Sequence, residues 1–241
     1  MNVFYFISRN PKRIYFPKLI SLNSRLALVV TAWLILAGFL AYFIFEQDQT
    51  LLDHPTFGGK LMTSFFASVT PRSAGFNTVD VSALSLPMIM VYLLLMWIGA
   101  SPGSTGGGIK TTTFGVAVLN MVSILRGKDR SEFFRSEVSH NSIRRAFALI
   151  FLSLLFMGLS VFLLSLYDSD KGFIKIAFET FSAFSTVGLS MGITSSLTLF
   201  SKVVLLFVMF VGRVGTLTLL VALIRQTKTL YYRYPKEDIT F

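Results

Sequence analysis

The sequence predicts an all-α integral membrane protein with two copies of one unit. Each unit contains a spanning helix, a re-entrant short helix with an extended segment, and a second spanning helix. Hydropathy, the placement of basic residues and an internal repeat support this prediction. Of 241 residues, 53% are hydrophobic and 14% charged, and the mean hydropathy is +0.67. Soluble domains carry roughly 25% charged residues, so the composition is typical of a membrane protein.

Four apolar runs predict the spans. Leu26–Phe45 and Ala146–Leu166 are each long enough to cross a hydrocarbon core of roughly 30 Å. Leu86–Leu125 would form a helix of about 60 Å, twice that thickness, so we expect its glycine-rich middle to interrupt it. The fourth run, Val203–Ile224, contains a lone arginine, Arg213.

The net charge of +10 is concentrated in three places: before the first run, in the central polar loop and in the C-terminal tail. This positive-inside pattern places both termini and the central loop in the cytoplasm of a multi-pass cell-membrane protein. Because the basic residues follow this pattern, we expect them to face membrane lipid, and the sequence does not predict a nucleic-acid partner. The external polar stretches carry acids that we expect to be solvated loop charges, with weak attraction for cations: Glu46, Asp48, Asp53, Asp80, Asp168 and Asp170.

Several kinds of chemistry are excluded. The chain has no cysteine, and its two histidines, His54 and His140, are far apart in polar loops where we expect ordinary surface residues. No residue cluster predicts a metal site. The stretch GASPGSTGGGIKTTTF resembles a phosphate-binding loop, but Ile109 separates Gly108 from Lys110 and breaks the required spacing. The sequence therefore predicts neither an enzyme nor a nucleotide site.

An internal repeat relates two moderately apolar segments, Lys60–Asp80 and Gly172–Thr194. An offset of 113 positions places Gly75 on Gly188, and the same offset aligns MWIG with MFVG further along the chain. Each segment begins with a stretch too short to cross the membrane and ends in small and hydroxylated residues. We expect a helix that enters from outside and returns as extended chain.

This arrangement contains the parts of a cation filter. Extended backbone at membrane depth is tolerated only when it is buried in protein or lines a wet cavity, where its carbonyls can replace the hydration shell of potassium. The short helix would direct its partly negative C-terminal end towards the ion. Alternatively, Gly75 and Gly188 are only tight turns between helices.

Several motifs resemble the Trk/Ktr/HKT superfamily of potassium transporters, and most closely its KtrB-type ion-translocating subunit: TPRSAGFNT, GASPGSTGGGIKT, FETFSAFSTVGLS, GRVGTLT and YRYPKED. The resemblance implies a potassium-channel-like fold of four span–pore–span repeats around one pore, of which this chain matches the third and fourth. It implies potassium uptake, influenced by sodium, without a cofactor. The alternative is a non-conducting fragment or scaffold that lacks the first two repeats.

The same resemblance divides the chain. It implies a cytoplasmic lead-in (1–23), a third-type repeat (24–128) with a gate loop (99–111), a cytoplasmic linker (129–144), a fourth-type repeat (145–226) and a cytoplasmic tail (227–241). Backbone carbonyls of two filter segments would bind potassium: Ser73, Ala74, Gly75 and Phe76, and Thr186, Val187, Gly188 and Leu189.

The glycine-rich stretch is expected to be an intramembrane gate beneath the filter. Its residues are Gly99, Ala100, Ser101, Pro102, Gly103, Ser104, Thr105, Gly106, Gly107, Gly108 and Lys110, with Arg213 beside them. Pro102 would break the helix, because it lacks a backbone donor. Lys110 would place a charge near the cytoplasmic exit or extend to the lipid headgroups.

Three further charged residues have expected roles. Arg213 would hold gate carbonyls or repel cations as a barrier, with an ion pair to Glu179 as the alternative. Glu179 would support the filter, and Arg72 would anchor the first filter segment or tune the external mouth. By resemblance, the partners are the missing first-half repeats, a second full-length subunit in a homodimer and a cytoplasmic nucleotide-binding regulatory ring.

Overall fold

The computed structural model describes residues 21–128, 130–133 and 136–215. These residues form a helical protein with one short hairpin, Glu132–Phe133 (β1) paired with Ser136–Glu137 (β2). The predicted tail and the end of the fourth run lie outside the described residues, as does nearly all of the lead-in. The helices of the described part are Leu22–Phe45 (α1), Phe57–Val69 (α2), Leu86–Trp97 (α3), Thr111–Leu125 (α4), His140–Tyr167 (α5), Phe173–Phe184 (α6) and Leu199–Val214 (α7).

Helices α1, α5 and α7 begin earlier than hydropathy indicates, because a hydroxyl residue caps each one. The side chains of Ser21, Ser139 and Thr198 accept hydrogen bonds from backbone N–H groups three residues further on. His140 is therefore the exposed first residue of α5 rather than a loop residue. In the described part of the chain, α1 and α5 are the helices long and apolar enough to cross a membrane.

The repeat seen in the sequence is also a repeat of local structure. Helices α3 and α7 begin at Leu86 and Leu199, which are 113 positions apart. The 3₁₀ turns that precede them, Val81–Ala83 and Thr194–Ser196, have the same offset. We call residues 22–125 the first unit and residues 140–214 the second unit.

Helix packing joins these units along one interface. Within the first unit, α1 packs against α2, α3 and α4; within the second, α5, α6 and α7 pack against one another. The units meet where α3 contacts α6 and α4 contacts α5. A hydrogen bond also crosses this interface, from Trp97 Nε1 to Ser153 Oγ at 3.0 Å.

A buried carboxylate at the end of the first helix fixes the start of the third helix in each unit. Glu46 follows α1 and accepts hydrogen bonds from the backbone N–H and the hydroxyl of Ser85, which precedes α3, at 2.9 and 2.6 Å. Asp168 follows α5 and accepts hydrogen bonds in the same way from the backbone N–H and the hydroxyl of Thr198, which precedes α7. Both acids are buried, so the expectation that they are solvated loop charges is wrong.

The Asp168 carboxylate is fully engaged. It accepts the Thr198 N–H at 3.1 Å, the Thr198 hydroxyl at 2.8 Å and a short hydrogen bond from the Ser201 hydroxyl. Burial opposes its ionisation, but the hydrogen bonds from Ser201 and Thr198 outweigh burial and lower the pKa of Asp168 below its ordinary value of 3.8. The charged form is therefore the one that stabilises the fold.

Replacing Asp168 with Ala is expected to lower the free energy of unfolding by about 2–4 kcal/mol, because buried donors lose a charged acceptor. Asp170→Ala is the matched control, since this nearby side chain is exposed and pairs only with Lys171 in the described chain; its effect should stay within about 0.5 kcal/mol. Unfolding in detergent at neutral pH measures both. Equal effects would contradict the capping role.

The stabilisation by Asp168 should also depend on pH in one direction. A carboxylate with a lowered folded-state pKa contributes fully above its unfolded-state pKa and loses its contribution as the pH falls through the folded-state value. The stability difference between the natural chain and Asp168→Asn should therefore be constant around neutral pH. It should shrink only below about pH 3.8, the ordinary carboxyl pKa.

Candidate functional site

Two short segments that follow helices α2 and α6 adopt the same unusual backbone conformation. Ser73 and Gly75 have φ angles of 68° and 73°, and their repeat-equivalent residues Thr186 and Gly188 have 53° and 93°. Ser73 and Thr186 are the only described non-glycine residues with positive φ. Such strain costs roughly 1–2 kcal/mol per residue and clusters at functional sites. We call residues 73–76 and 186–189 the first and second segments.

The first segment is braced by the residue that ends α2. The carbonyl of Thr70 accepts the N–H groups of Ala74 and Gly75, both at 3.2 Å. The Thr70 hydroxyl donates to the Phe76 carbonyl at 2.6 Å. Arg72 is half-buried and donates to the Thr31 hydroxyl on α1 at 3.3 Å, so it anchors this segment to the first helix.

The second segment is braced by a carboxylate instead. Glu179 of α6 is buried and accepts hydrogen bonds from the Ser190 hydroxyl, the Met191 N–H at 3.1 Å and the Thr194 hydroxyl at 3.0 Å. These donors lie directly beyond the segment, so the geometry agrees with a supporting role. The alternative ion pair with Arg213 is wrong, because neither residue forms a salt bridge in the described chain.

The two segments lie against each other. A Cβ atom added to Gly75 would be 2.1 Å from the carbonyl oxygen of Val187, so only glycine allows this approach. The Ser73 hydroxyl donates to the Ser185 carbonyl at 3.2 Å, just before the second segment. The structure thus brings together residues that are more than a hundred positions apart in sequence.

The long apolar run is interrupted between α3 and α4. Helix α3 ends at Trp97, and Ile98 is the residue whose carbonyl would clash with Pro102 in a continuous helix. The Gly99 N–H donates to the Ile109 carbonyl at 2.8 Å, and the Ile109 N–H donates to the Trp97 carbonyl at 3.2 Å. These bonds close a loop with an exposed tip, residues 102–105, and a largely buried stem, residues 106–109.

The stem of the loop contacts both segments. The Gly107 N–H donates to the Thr186 hydroxyl at 2.8 Å. A Cβ atom on Gly106 would be 2.6 Å from the Ser73 hydroxyl, and one on Gly107 would be 2.9 Å from the Phe184 carbonyl. The consecutive glycines therefore allow the loop to lie directly against the two segments.

The side chain that binds a carbonyl of the loop is Lys110, whereas the sequence predicts Arg213 in this role. The Nζ of Lys110 donates a short hydrogen bond to the Gly106 carbonyl, so it holds the stem rather than extending towards headgroups. Arg213 is exposed and makes no hydrogen bond to the loop within the described residues. It lies near enough to Lys110 for the two positive charges to interact. Among the described residues, Lys110 rather than Arg213 therefore makes the side-chain hydrogen bond to the loop, and the role of Arg213 in a gate stays a prediction.

Some residues at this site were not predicted. Thr70 was missed because a threonine at a helix end has no distinctive spacing. Glu46 and Asp168 carried a signal, since each is an acid placed directly after a long apolar run, but only the fold shows what they bind.

The described residues contain no group of three or more His, Cys, Asp or Glu side chains that could hold a metal ion.

Comparison with known proteins agrees with the family resemblance. Residues 12–230 match the TrkH family model, described as a cation transport protein. The chain is 39% identical to the potassium/sodium uptake protein NtpJ of Enterococcus hirae, with 92% of this chain and 50% of the relative covered. The Ktr system potassium uptake protein B of Bacillus subtilis gives the same identity and coverage. The chain thus spans about half the length of these relatives.

A solved structure shows the same fold. The crystal structure of the potassium transporter TrkH from Vibrio parahaemolyticus matches with a TM-score of 0.64, at 18% identity, over 84% of this chain and 44% of that one. The family consists of transport proteins rather than enzymes, which confirms the predicted class. We conclude from the family match and the close relatives that this chain belongs to the TrkH family of cation transport proteins.

Proposed function

We propose that this chain supplies two of the units of a potassium pore in the cell membrane. The observation that carries the proposal is the pair of segments with matched positive φ angles, packed against each other and covered by the stem of the loop. The names of the relatives above, which refer to potassium or potassium/sodium uptake, support potassium as the transported ion and sodium as an influence on transport.

The proposed filter is formed by backbone carbonyls of the first and second segments, residues 73–76 and 186–189. Carbonyl oxygens can replace the water molecules around potassium when their spacing is held fixed. The braces from Thr70 and Glu179 supply that rigidity. The C-terminal ends of α2 and α6 precede the segments, and their partial negative charge favours a cation.

The proposed gate is the loop between α3 and α4, residues 99–111. Its tip is exposed, whereas its stem is attached to the second segment by the hydrogen bond from Gly107 to Thr186, and Lys110 binds the Gly106 carbonyl within the loop. Two buried hydroxyls beside the stem, those of Ser185 and Thr111, have no hydrogen-bond partner among the described residues. A second position of the loop could satisfy these groups, so we propose that the stem moves and the tip follows it.

The proposed topology places both termini in the cytoplasm, as the positive-inside rule indicates. A regulatory nucleotide-binding ring would dock on the basic linker and tail, and full-length subunits would form a homodimer. The second candidate function is a scaffold that conducts nothing without the first two repeats. Its support is the coverage of the relatives, half of whose length has no counterpart here.

Expression in bacteria that lack potassium uptake separates the two candidates. The chain should restore growth at low potassium either alone or together with the first half of the Enterococcus hirae relative, expressed as a separate chain. The first half expressed without this chain is the control. Failure in both arms, with this chain present in the membrane, would support the scaffold.

Replacing Gly188 with Ser should lower potassium affinity or selectivity in this assay. The φ of 93° resists any side chain, while nothing lies within 4 Å of the added Cβ, so the change acts on the backbone rather than on packing. Gly172→Ser is the matched control, because Gly172 has a φ of 85°, equally open surroundings and a place outside the segment. Unchanged uptake in Gly188→Ser, or an equal loss in both variants, would contradict the filter.

Gly75→Ala should destabilise the fold more than Gly188→Ala. Both changes place a Cβ on a residue with positive φ, but only the Cβ at position 75 would meet a carbonyl oxygen, at 2.1 Å. We expect an extra cost of about 1–3 kcal/mol for this forced overlap. Unfolding in detergent measures the difference, and equal losses would show that the two segments do not touch.

Deleting Gly103–Thr105 should raise potassium flux if the loop is a gate. The deletion shortens only the exposed tip and leaves the Gly107 and Lys110 hydrogen bonds of the stem. Replacing the same three residues with Ser-Gly-Ser is the control for sequence, because it keeps the length. Unaltered or lower flux in well-expressed protein would count against the gate.

A further inference from the structure

An open groove of about 450 Å³ lies between helices α4 and α5. It is lined by residues of α4 between Phe114 and Leu125, by Phe147 and Ile150 of α5, and by Trp97 at the end of α3, and we call it the leaflet groove. We infer that the leaflet groove binds one acyl chain of an anionic phospholipid, and that basic residues at the start of α5 bind the phosphate of its headgroup. Only the assignment of this lipid to the cytoplasmic leaflet rests on the topology proposed above.

The lining of the leaflet groove suits hydrocarbon. All of its residues are apolar, and those of α4 recur three and four positions apart, so they form one stripe along the helix. The single polar group among these side chains is the indole N–H of Trp97, which already donates to the Ser153 hydroxyl at 3.0 Å. Water in such a groove would lack the two to four polar partners that an ordered water needs.

The length of the groove corresponds to one leaflet of a membrane. Phe114 and Leu125 are eleven positions apart, which is about 16 Å along a helix that rises 1.5 Å per residue. Half of a hydrocarbon core of roughly 30 Å is about 15 Å. An acyl chain that enters from the end at Leu125 would therefore reach Trp97 and Phe114 near the middle of the membrane.

Positive charge lies at the end of the groove where a headgroup would be. Arg144 is one helical turn before Phe147, and helical side chains point towards the N-terminus, away from the apolar part of α5. Arg144, Arg145 and Asn141 line a second cavity of about 370 Å³. Both arginines are exposed, and neither forms a salt bridge within the described chain. Their guanidinium groups are therefore available for the geometry in which arginine binds phosphate.

The inner end of the groove is formed by the residues that flank the loop between α3 and α4. The Trp97 carbonyl accepts the N–H of Ile109, and the Phe114 N–H donates to the carbonyl of Lys110 at 3.1 Å. Trp97 and Phe114 both pack against the cluster that contains Ile109. An acyl chain in the leaflet groove would thus contact both ends of this loop.

Tryptophan fluorescence tests the site directly, because the chain has only two tryptophans and Trp97 lines the groove. The full chain with Trp33→Phe is placed in vesicles of phosphatidylcholine that contain a minor fraction of phosphatidylglycerol. Bromine, which quenches tryptophan at close approach, is carried by the acyl chains of phosphatidylglycerol or by the same mole fraction of phosphatidylcholine. Trp97 should be quenched more strongly by the brominated anionic lipid.

The chain with Trp97→Phe is the matched control. It reports Trp33 of α1, which is 67% exposed and does not line the groove. Quenching of Trp33 should be the same for both brominated lipids, because this residue faces the bulk membrane.

Removing one arginine should weaken the preference. Arg144→Ala should lower the apparent affinity for phosphatidylglycerol by about fivefold, since a basic residue near the membrane surface is worth about 1 kcal/mol. Arg144→Lys should retain most of the preference, because it keeps the charge. Arg130→Ala is the control for net charge: Arg130 is exposed and pairs with Glu137 at 3.8 Å, but it lines neither cavity.

Filling the groove should abolish the preference. Val118 lines the groove and is 40% exposed, so Val118→Phe places its ring in the space of the acyl chain. Val122→Phe is the matched control, because Val122 is 38% exposed on the same helix but does not line the groove. Unchanged helical content, measured by circular dichroism, would show that both variants remain folded.

Preferential quenching of Trp97 that Arg144→Ala and Val118→Phe reduce, and that both controls retain, would establish the site. Equal quenching by the two brominated lipids, or a preference that persists in Arg144→Ala, would overturn it. Trp97 that neither lipid quenches would also overturn it, since protein such as a second copy would then cover the groove. These vesicles carry the anionic lipid in both leaflets and no transport is measured, so the result does not depend on the proposed pore or topology.

Discussion

The centre of this protein depends on contacts between bare backbones. A Cβ atom on Gly75 would be 2.1 Å from the Val187 carbonyl, and one on Gly212 would be 1.8 Å from the Phe184 carbonyl. Real Cβ atoms do not approach other atoms that closely, so Gly75 must be glycine for the two segments to meet, and Gly212 must be glycine for α7 to pack against the end of α6. The packing of the two segments and of the loop follows from this absence of side chains.

The two units share a plan but differ in how each one holds its segment. Thr70 braces the first with its own carbonyl and hydroxyl, whereas Glu179 braces the second from the middle of α6. Phe66 occupies the position equivalent to Glu179, so the first unit has no carboxylate there. Repeats that keep one backbone conformation can therefore use different side chains, because the requirement is satisfaction of hydrogen bonds rather than one residue type.

Helices α3 and α7, which are equivalent in the repeat, show a similar difference. Helix α3 stops at Trp97, while α7 continues four residues beyond the equivalent Phe210, to Val214. Pro102 explains the difference, since no proline follows α7 at the equivalent place, where Gly215 stands instead. The interruption could be predicted from the length of the apolar run and from this proline. The place of the stem, against Thr186 and Ser73, could not, because those contacts join distant parts of the chain.

The sequence by itself determined the membrane class, the offset of 113 and the glycine-rich break, because hydropathy, repetition and helix breaking are local properties. It also indicated the family through its motifs. Only the tertiary structure decided the roles of charged residues: Glu46 and Asp168 cap helices, and Lys110 rather than Arg213 binds the loop. The partner of a charged residue cannot be identified from the sequence, because folding brings the two groups together from distant positions. Burying a charge without a partner costs free energy, so the partner determines where a charged residue can be buried.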